Sequence, residues 1–233
     1  GGASLAAVER VCGVPADDAV ELLTSLVDKS LVDVAGGRFR MLETIRAFGA
    51  ERLAEAGETE RLRHAHAAYF LDLAETADPH LRRAEQVAWL DRLDAERDNL
   101  HAALRRATAD ARWDTALRLV CALAFYWWLR GLRGEAAHLA YELRSALGPT
   151  PPPGREEEFL LCDLLASLGR PGRATGVRRH VLSEVERAPR QPFLFYLSAI
   201  ASGPPSDDVD VLLGMVERVR RLADPWLAAL APV

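Results

Sequence analysis

The stretch from Leu26 to Arg52, LVDKSLVDVAGGRFRMLETIRAFGAER, constrains this chain more than any other, because its hydrophobic period changes twice. Leu31, Val32 and Val34 read as a short apolar strand. Ala35-Gly36-Gly37 reads as a turn in which the glycines can take positive φ without a Cβ clash. Phe39 and Met41 then alternate with Arg38 and Arg40, the period of two that a half-buried strand requires. From Glu43 the spacing becomes helical, through Ile45, Phe48, Gly49, Arg52 and Leu53, until Gly57 supplies a C-cap after Ala56.

Two further helices are expected before this stretch. Ser4 can cap one that runs to about Cys12, with Leu5, Val8 and Val11 on one face and Gly13 ending it. Pro15, Asp17 and Asp18 suit the start of the next, whose buried stripe is predicted as Val20, Leu23, Leu26 and Val27. Helices, a hairpin and another helix outline a winged-helix unit over residues 1–57. A winged helix that reads DNA needs Arg, Lys, Asn or Gln on the outer face of its groove helix. Here that face carries Asp17, Asp18, Glu21, Thr24 and Asp28. Through Ala56 the bases Arg10, Lys29, Arg38, Arg40, Arg46 and Arg52 are outnumbered by Glu9, Asp17, Asp18, Glu21, Asp28, Asp33, Glu43, Glu51 and Glu55. Phosphate contacts carry most non-specific affinity, so this unit is not expected to touch DNA directly. The net charge of −5 points the same way.

The rest reads as helices. Thr59 opens one with Leu62, Ala65, Tyr69, Leu73 and Ala77 inward, closed by Pro79. His64 and His66 lie on faces about 200° apart and cannot chelate one ion together. A short helix from Glu85 to Leu93 and another from Asp98 or Asn99 follow, and then comes the most apolar one, TALRLVCALAFYWWLRG. A helix apolar on every side is buried on every side. Phe125, Tyr126, Trp127 and Trp128 could alternatively line a ligand pocket, with Tyr141 on the next helix, Glu135 to Leu147. GPTPPPG, residues 149–154 after Gly148, is the clearest break, since consecutive prolines stop helices on both sides. Beyond it, helices are predicted at Glu156 to Leu168, Arg173 to Arg187, Phe193 to Ser202, Asp207 to Leu222 and Pro225 to about Leu230.

Cys12, Cys121 and Cys162 lie far apart among apolar neighbours, with no CxxC, and read as reduced core thiols of a cytoplasmic protein. The apolar run Leu119 to Leu129 is shorter than the ~20 residues of a membrane span. The Gly1-Gly2 start suggests a piece of a longer protein. Lys29 is the only lysine and no glycines precede it as GxxxxGK[ST] demands, while GxSxG and HExxH are absent, so no enzyme is expected in this chain. No metal site is expected either.

Helix pairs joined by short turns fit degenerate tetratricopeptide units. Gly131 with Glu135-Ala136 and Pro149 matches the motif, as do Gly169 with Arg173, Ala174 and Pro189, and Trp113, Asp114 and Ala116 in part. The expected fold is therefore mainly α: the N-terminal winged helix with one β-hairpin, a tetratricopeptide-like superhelical array over 58–148, the proline-rich break, and further degenerate repeats over 155–233.

LVDKSLV, RFRMLETIRAFGAERLAEAGE, RHAHAAYFLDLAE, WLDRLDAERDNLHAALRRA and ALRL…WWLRG, occurring in this order, resemble one class of bacterial regulators. These are the large actinomycete regulators of the AfsR/SARP type and related LuxR-type proteins. In them a STAND-class, NB-ARC-like NTPase module precedes a winged helix and tetratricopeptide repeats. The resemblance spans Leu22 to Leu147, and loosely the chain from Glu156 on. It implies ATP or ADP in the parent protein, though no cofactor in this piece, and a parent that controls transcription of secondary metabolism and can form homo-oligomers. The implied partners are the upstream NTPase module and a protein or small-molecule effector. The family's Met-His-Asp motif, whose histidine contacts the ADP β-phosphate, falls on Met41, Leu42 and Glu43. Leu42 cannot donate to phosphate, so these three are candidates for an interdomain contact. Tyr126, Trp127, Trp128 and Tyr141 are the effector or partner candidates. Two alternatives stand beside this sensor reading: a DNA-binding winged helix with a dimerisation bundle, and a small-molecule-binding helical domain.

Overall fold

Ser4 does cap the first helix. In the computed structural model its hydroxyl accepts from the Ala7 amide at 3.3 Å, and α1 runs Leu5–Cys12. Gly13 ends α1 in the left-handed region at φ 71°, donating back to the Glu9 carbonyl. The structure describes residues 2–168, 191–201 and 226. Helix α2 spans Ala16–Asp28, β1 Asp33–Ala35, β2 Arg38–Arg40 and α3 Glu43–Glu55. The strands pair antiparallel as Asp33↔Arg40, Val34↔Phe39 and Ala35↔Arg38, across a turn with Gly36 at φ 58° and Gly37 at φ 73°. Two successive positive φ values are what a tight hairpin needs, and only glycine adopts them without strain.

Several expectations for this unit need correction. Val20 is 48% exposed, and Ala19 takes its place inside, because the inward row on α2 is Ala19 and Leu23, both buried, and the half-buried Leu26, at i, i+4, i+7. In the first strand only Val32 is buried, just before β1, while Val34 is 52% exposed. Met41 lies past the end of β2 and is exposed, so the predicted alternation stops at Phe39. Cys12 is exposed, unlike the buried Cys121 and Cys162. It sits on the flank of α1, about a quarter turn from the row Ala7, Val8, Val11 that faces inward.

The helices α4 Thr59–His80, α5 Gln86–Ala109, α6 Trp113–Leu129, α7 Arg133–Leu147 and α8 Glu156–Leu168 follow. Each packs on the next and on the one after: α4 on α5 and α6, α5 on α6 and α7, α6 on α7 and α8. That pattern places α4, α6 and α8 in one row and α5 and α7 in a second. The last described helix, α9 Pro192–Ala201, packs on α8. Helix α6 touches four neighbours, which is why Ala116, Leu117, Leu119 to Trp127 and Thr115 are all buried along it. The N-terminal unit joins this array through α1 on α4, with Ala7 in the common core. The fold is thus mainly helical with one small two-stranded sheet.

The predicted break between Leu93 and Asp98 does not occur: α5 is one continuous helix of 24 residues. Asp98 and Asn99 look like a helix start in sequence, but the Asn99 side-chain amide donates to the Gly2 carbonyl and to Glu96 instead of capping a new helix. With no Gly or Pro between Leu93 and Asp98, nothing interrupts the backbone ladder. Pro79 sits inside the last turn of α4, which continues to His80. The helices predicted at Arg173 to Arg187 and Asp207 to Leu222, most of that from Pro225, and the repeat at Gly169 lie outside the described residues. Among the described residues no helix is long and apolar enough to cross a membrane.

Candidate partner interface

Helix α3 buries nothing. None of its 13 residues is buried, and only Ile45, Gly49 and Leu53, one row at i, i+4, i+8, are partly covered. Its N-cap residue, Leu42, has no side-chain oxygen to satisfy the first turn. The third helical position, where a capping box needs Glu or Gln, is Ile45, and the Glu43 carboxylate takes Arg46 at 2.6 Å. Leu42 is 64% exposed, Phe48 57% and Met41 49%, and the Arg52 guanidinium lies over the Phe48 ring at 5.2 Å. Val20, Leu22 and Val34 add further exposed apolar surface in the same unit. Of ten large exposed hydrophobic side chains among the described residues, these six belong to the first 57 residues. The surface is therefore apolar at the hairpin exit and α3, and acidic along α2, where Asp17, Asp18, Glu21 and Asp28 are all exposed. Apolar side chains left exposed in this number mark contact surfaces, and the carboxylates of α2 repel phosphate.

The structure keeps Met41, Leu42 and Glu43 together at this surface, and it separates the four aromatic candidates. Tyr126 and Trp127 are fully buried in α6. The Tyr126 hydroxyl donates to Asp94 at 2.7 Å, and burial first, then that bond, pushes its ionisation upward. Trp127 Nε1–H donates to His101 Nε2 at 3.0 Å. Both rings are thus core, tied by their polar tips to α5, and neither faces an open pocket. Trp128 turns the other way, half-buried, with the Arg133 guanidinium 4.4 Å over it and Phe193 and Tyr196 of α9 against its edge. Tyr141 is 36% exposed on α7. Phe125, Trp128, Phe193, Tyr196 and Trp226 form an aromatic cluster that the sequence did not single out, since its members come from three distant segments.

A cavity of about 280 Å³ lies on the α4–α6–α8 row, lined by Glu75, Asp78, Arg118, Cys121, Ala122, Arg155, Glu158 and Gln191. Its charges are paired, within the lining or just outside it, as Asp78 is with Arg82. Arg118 donates to both Glu75 oxygens at 2.7 and 2.6 Å, and Arg155 donates to Asp114 at 2.7 Å and to Glu158 at 2.8 Å. The bonds to Glu75 and Glu158 hold the two guanidiniums more firmly protonated than usual. Burial pushes Cys121 well up and Cys162 up to about 12, so both thiols are neutral and poor nucleophiles. Among the described residues no group of three His, Cys, Asp or Glu side chains could hold a metal ion.

No protein-family profile and no solved structure matches the chain. Curated proteins do. Two from strains of Mycobacterium tuberculosis and one from Mycobacterium bovis, each named "Putative HTH-type transcriptional regulator", are 35% identical to it over 137 residues. The match covers 56% of this chain and 15% of each relative, so the chain spans a small part of the length of the curated proteins it resembles.

Proposed function

We propose that this chain is the winged-helix and helical-repeat part of a transcription regulator of the STAND type, working as a sensor rather than as a DNA reader or an enzyme. The observation that carries the reading is the exposure of Met41, Leu42 and Phe48 in an N-terminal unit whose α2 is acidic. Such a surface suits a protein neighbour and repels a nucleic acid. The similarity to named transcriptional regulators supports the regulatory role, and the packing of each helix on its next and second neighbours supports a tetratricopeptide-like array. In this reading the array takes a protein or small-molecule effector. The winged unit contacts an NTPase module of the same cytoplasmic protein, and ATP or ADP binds that module. Effector binding shifts the population between a packed and a released arrangement, by as much as its affinities for the two differ. Leu42 offers no hydrogen bond to a phosphate, so Met41, Leu42 and Glu43 serve as a contact between modules rather than as a nucleotide ligand.

The test is calorimetry between this chain and the separately produced NTPase module, with ADP, with ATP and without nucleotide. Binding that is lost in Leu42→Asp and Phe48→Asp is the expected result. Absence of binding in all three nucleotide states refutes the proposal.

A further inference from the structure

Residues 2 and 3 run beside β2 on the edge away from β1. The Ala3 N–H donates to the Phe39 carbonyl and the Phe39 N–H to the Ala3 carbonyl, both at 2.9 Å. One residue earlier on β2, Arg38 leaves the sheet for α5. Its Nη1 and Nη2 donate to the two Glu96 oxygens at 2.7 and 2.8 Å, and Nη2 also donates to the Gly2 carbonyl at 2.8 Å. Asn99, nearly one turn along α5 from Glu96, donates to that same carbonyl at 2.9 Å and to Glu96 Oε2 at 2.7 Å. Gly2 sits at φ +78°, and a Cβ there would lie 2.8 Å from the Phe39 carbonyl oxygen and 2.7 Å from Arg40 Cγ. Only glycine fits. The side chains of Arg38 and Glu96 are 15% and 6% exposed.

We propose that this knot is a coupling device: the pairing of residues 2–3 with β2 and the docking of the hairpin on α5 form one linked equilibrium. A displacement at residues 2–3 then reaches the helical array through Arg38. The physical basis is that Glu96 is too buried to lose its cation cheaply, and that the Gly2 carbonyl is shared by Arg38 and Asn99. Removing any one member leaves another buried group short of a partner. Three segments that are remote in sequence therefore hold or release together, and linkage requires the effect to run in both directions. This holds whatever the exposed face of α3 binds.

Hydrogen exchange on the full chain tests it, read at the Phe39 amide and at core amides of α6. Glu96→Gln is expected to speed Phe39 exchange by about tenfold or more while α6 stays protected. Gly2→Ala should do the same from the other side. The double variant should exchange much more slowly than the product of the two single factors predicts, because either change alone already opens the knot. Asn99→Ala, which removes no charge, gives the same reading should Glu96→Gln fail to fold. Unchanged Phe39 exchange, factors that multiply independently, or equal acceleration throughout α6 each overturn the proposal.

Discussion

His66 gives the sharpest prediction. It lies on α4 with its ring 4.6 Å from Phe70, and its Nδ1 is buried with no hydrogen-bond partner. Burial, then the positive charge of Arg106, lowers its pKa to about 4, against a small opposing pull from Glu96. In the unfolded chain the same imidazole titrates at about 6.5. The sign follows from linkage. Below pH 6.5 the unfolded state binds a proton that the folded state refuses, so stability falls as pH falls, until the folded pKa is reached. The window runs from 6.5 to about 4. At pH 5 the two titration curves differ by a factor of roughly thirty, or about 2 kcal/mol. Replacing His66 with Leu removes the titrating group and the unpaired Nδ1 together. Urea unfolding of both proteins at pH 7 and pH 5 is the assay. The variant's stability relative to the native chain is expected to rise by about 2 kcal/mol between pH 7 and pH 5, on top of any pH-independent gain from losing the unpaired Nδ1. Parallel stability curves across that interval refute the assignment of His66 as a buried neutral group.

The other predictions concern the core, the surface and the thiols. Leu123→Ala, at a site with no exposure on α6, should cost about 2–5 kcal/mol in chemical unfolding. Leu42→Asp and Phe48→Asp should leave the melting temperature within a degree or two, because neither side chain is buried, and a large drop would mean that these two side chains pack where the structure leaves them exposed. In a thiol-titration of the native chain, Cys12 should react alone at first, and Cys121 and Cys162 only on unfolding. A gel shift with duplex DNA at low salt should show no saturable complex, and one that saturates would defeat the charge argument built on Asp17, Asp18, Glu21 and Asp28.

What was legible in the sequence is what short-range chemistry decides. Ser4 before an apolar period, Gly13 after it, and Gly36-Gly37 between two strands each need only their own neighbours to act, and each acts as read. The all-round hydrophobicity of α6 was legible too, since no partner had to be identified to conclude that it is enclosed. Partnerships across the fold were not. Arg38 and Glu96 lie 58 residues apart, and Arg118 and Glu75 lie 43 apart, in a chain where arginine and carboxylate are abundant everywhere. The same blindness split α5 in two, because Asp98 and Asn99 resemble a local helix start until the distant partner of Asn99, the Gly2 carbonyl, is known. At the candidate interface, Met41, Leu42 and Glu43 could be picked out only by resemblance. Their exposure, and that of Phe48, required the structure.

The uncovered state of α3 has a further consequence, in the energetics of making a helix at all. Nucleating a turn is unfavourable, and isolated helices shorter than ~12–15 residues are marginal in water. At 13 residues, with nothing buried and Gly49 in its middle, α3 sits at that limit. Only the row Ile45, Gly49 and Leu53 is partly covered. The helix–coil balance of α3 is therefore soft, and a partner that covered Leu42 and Phe48 would tip it. Occupancy of the interface would then be written as backbone order within Glu43–Glu55, with the array behind it unaltered.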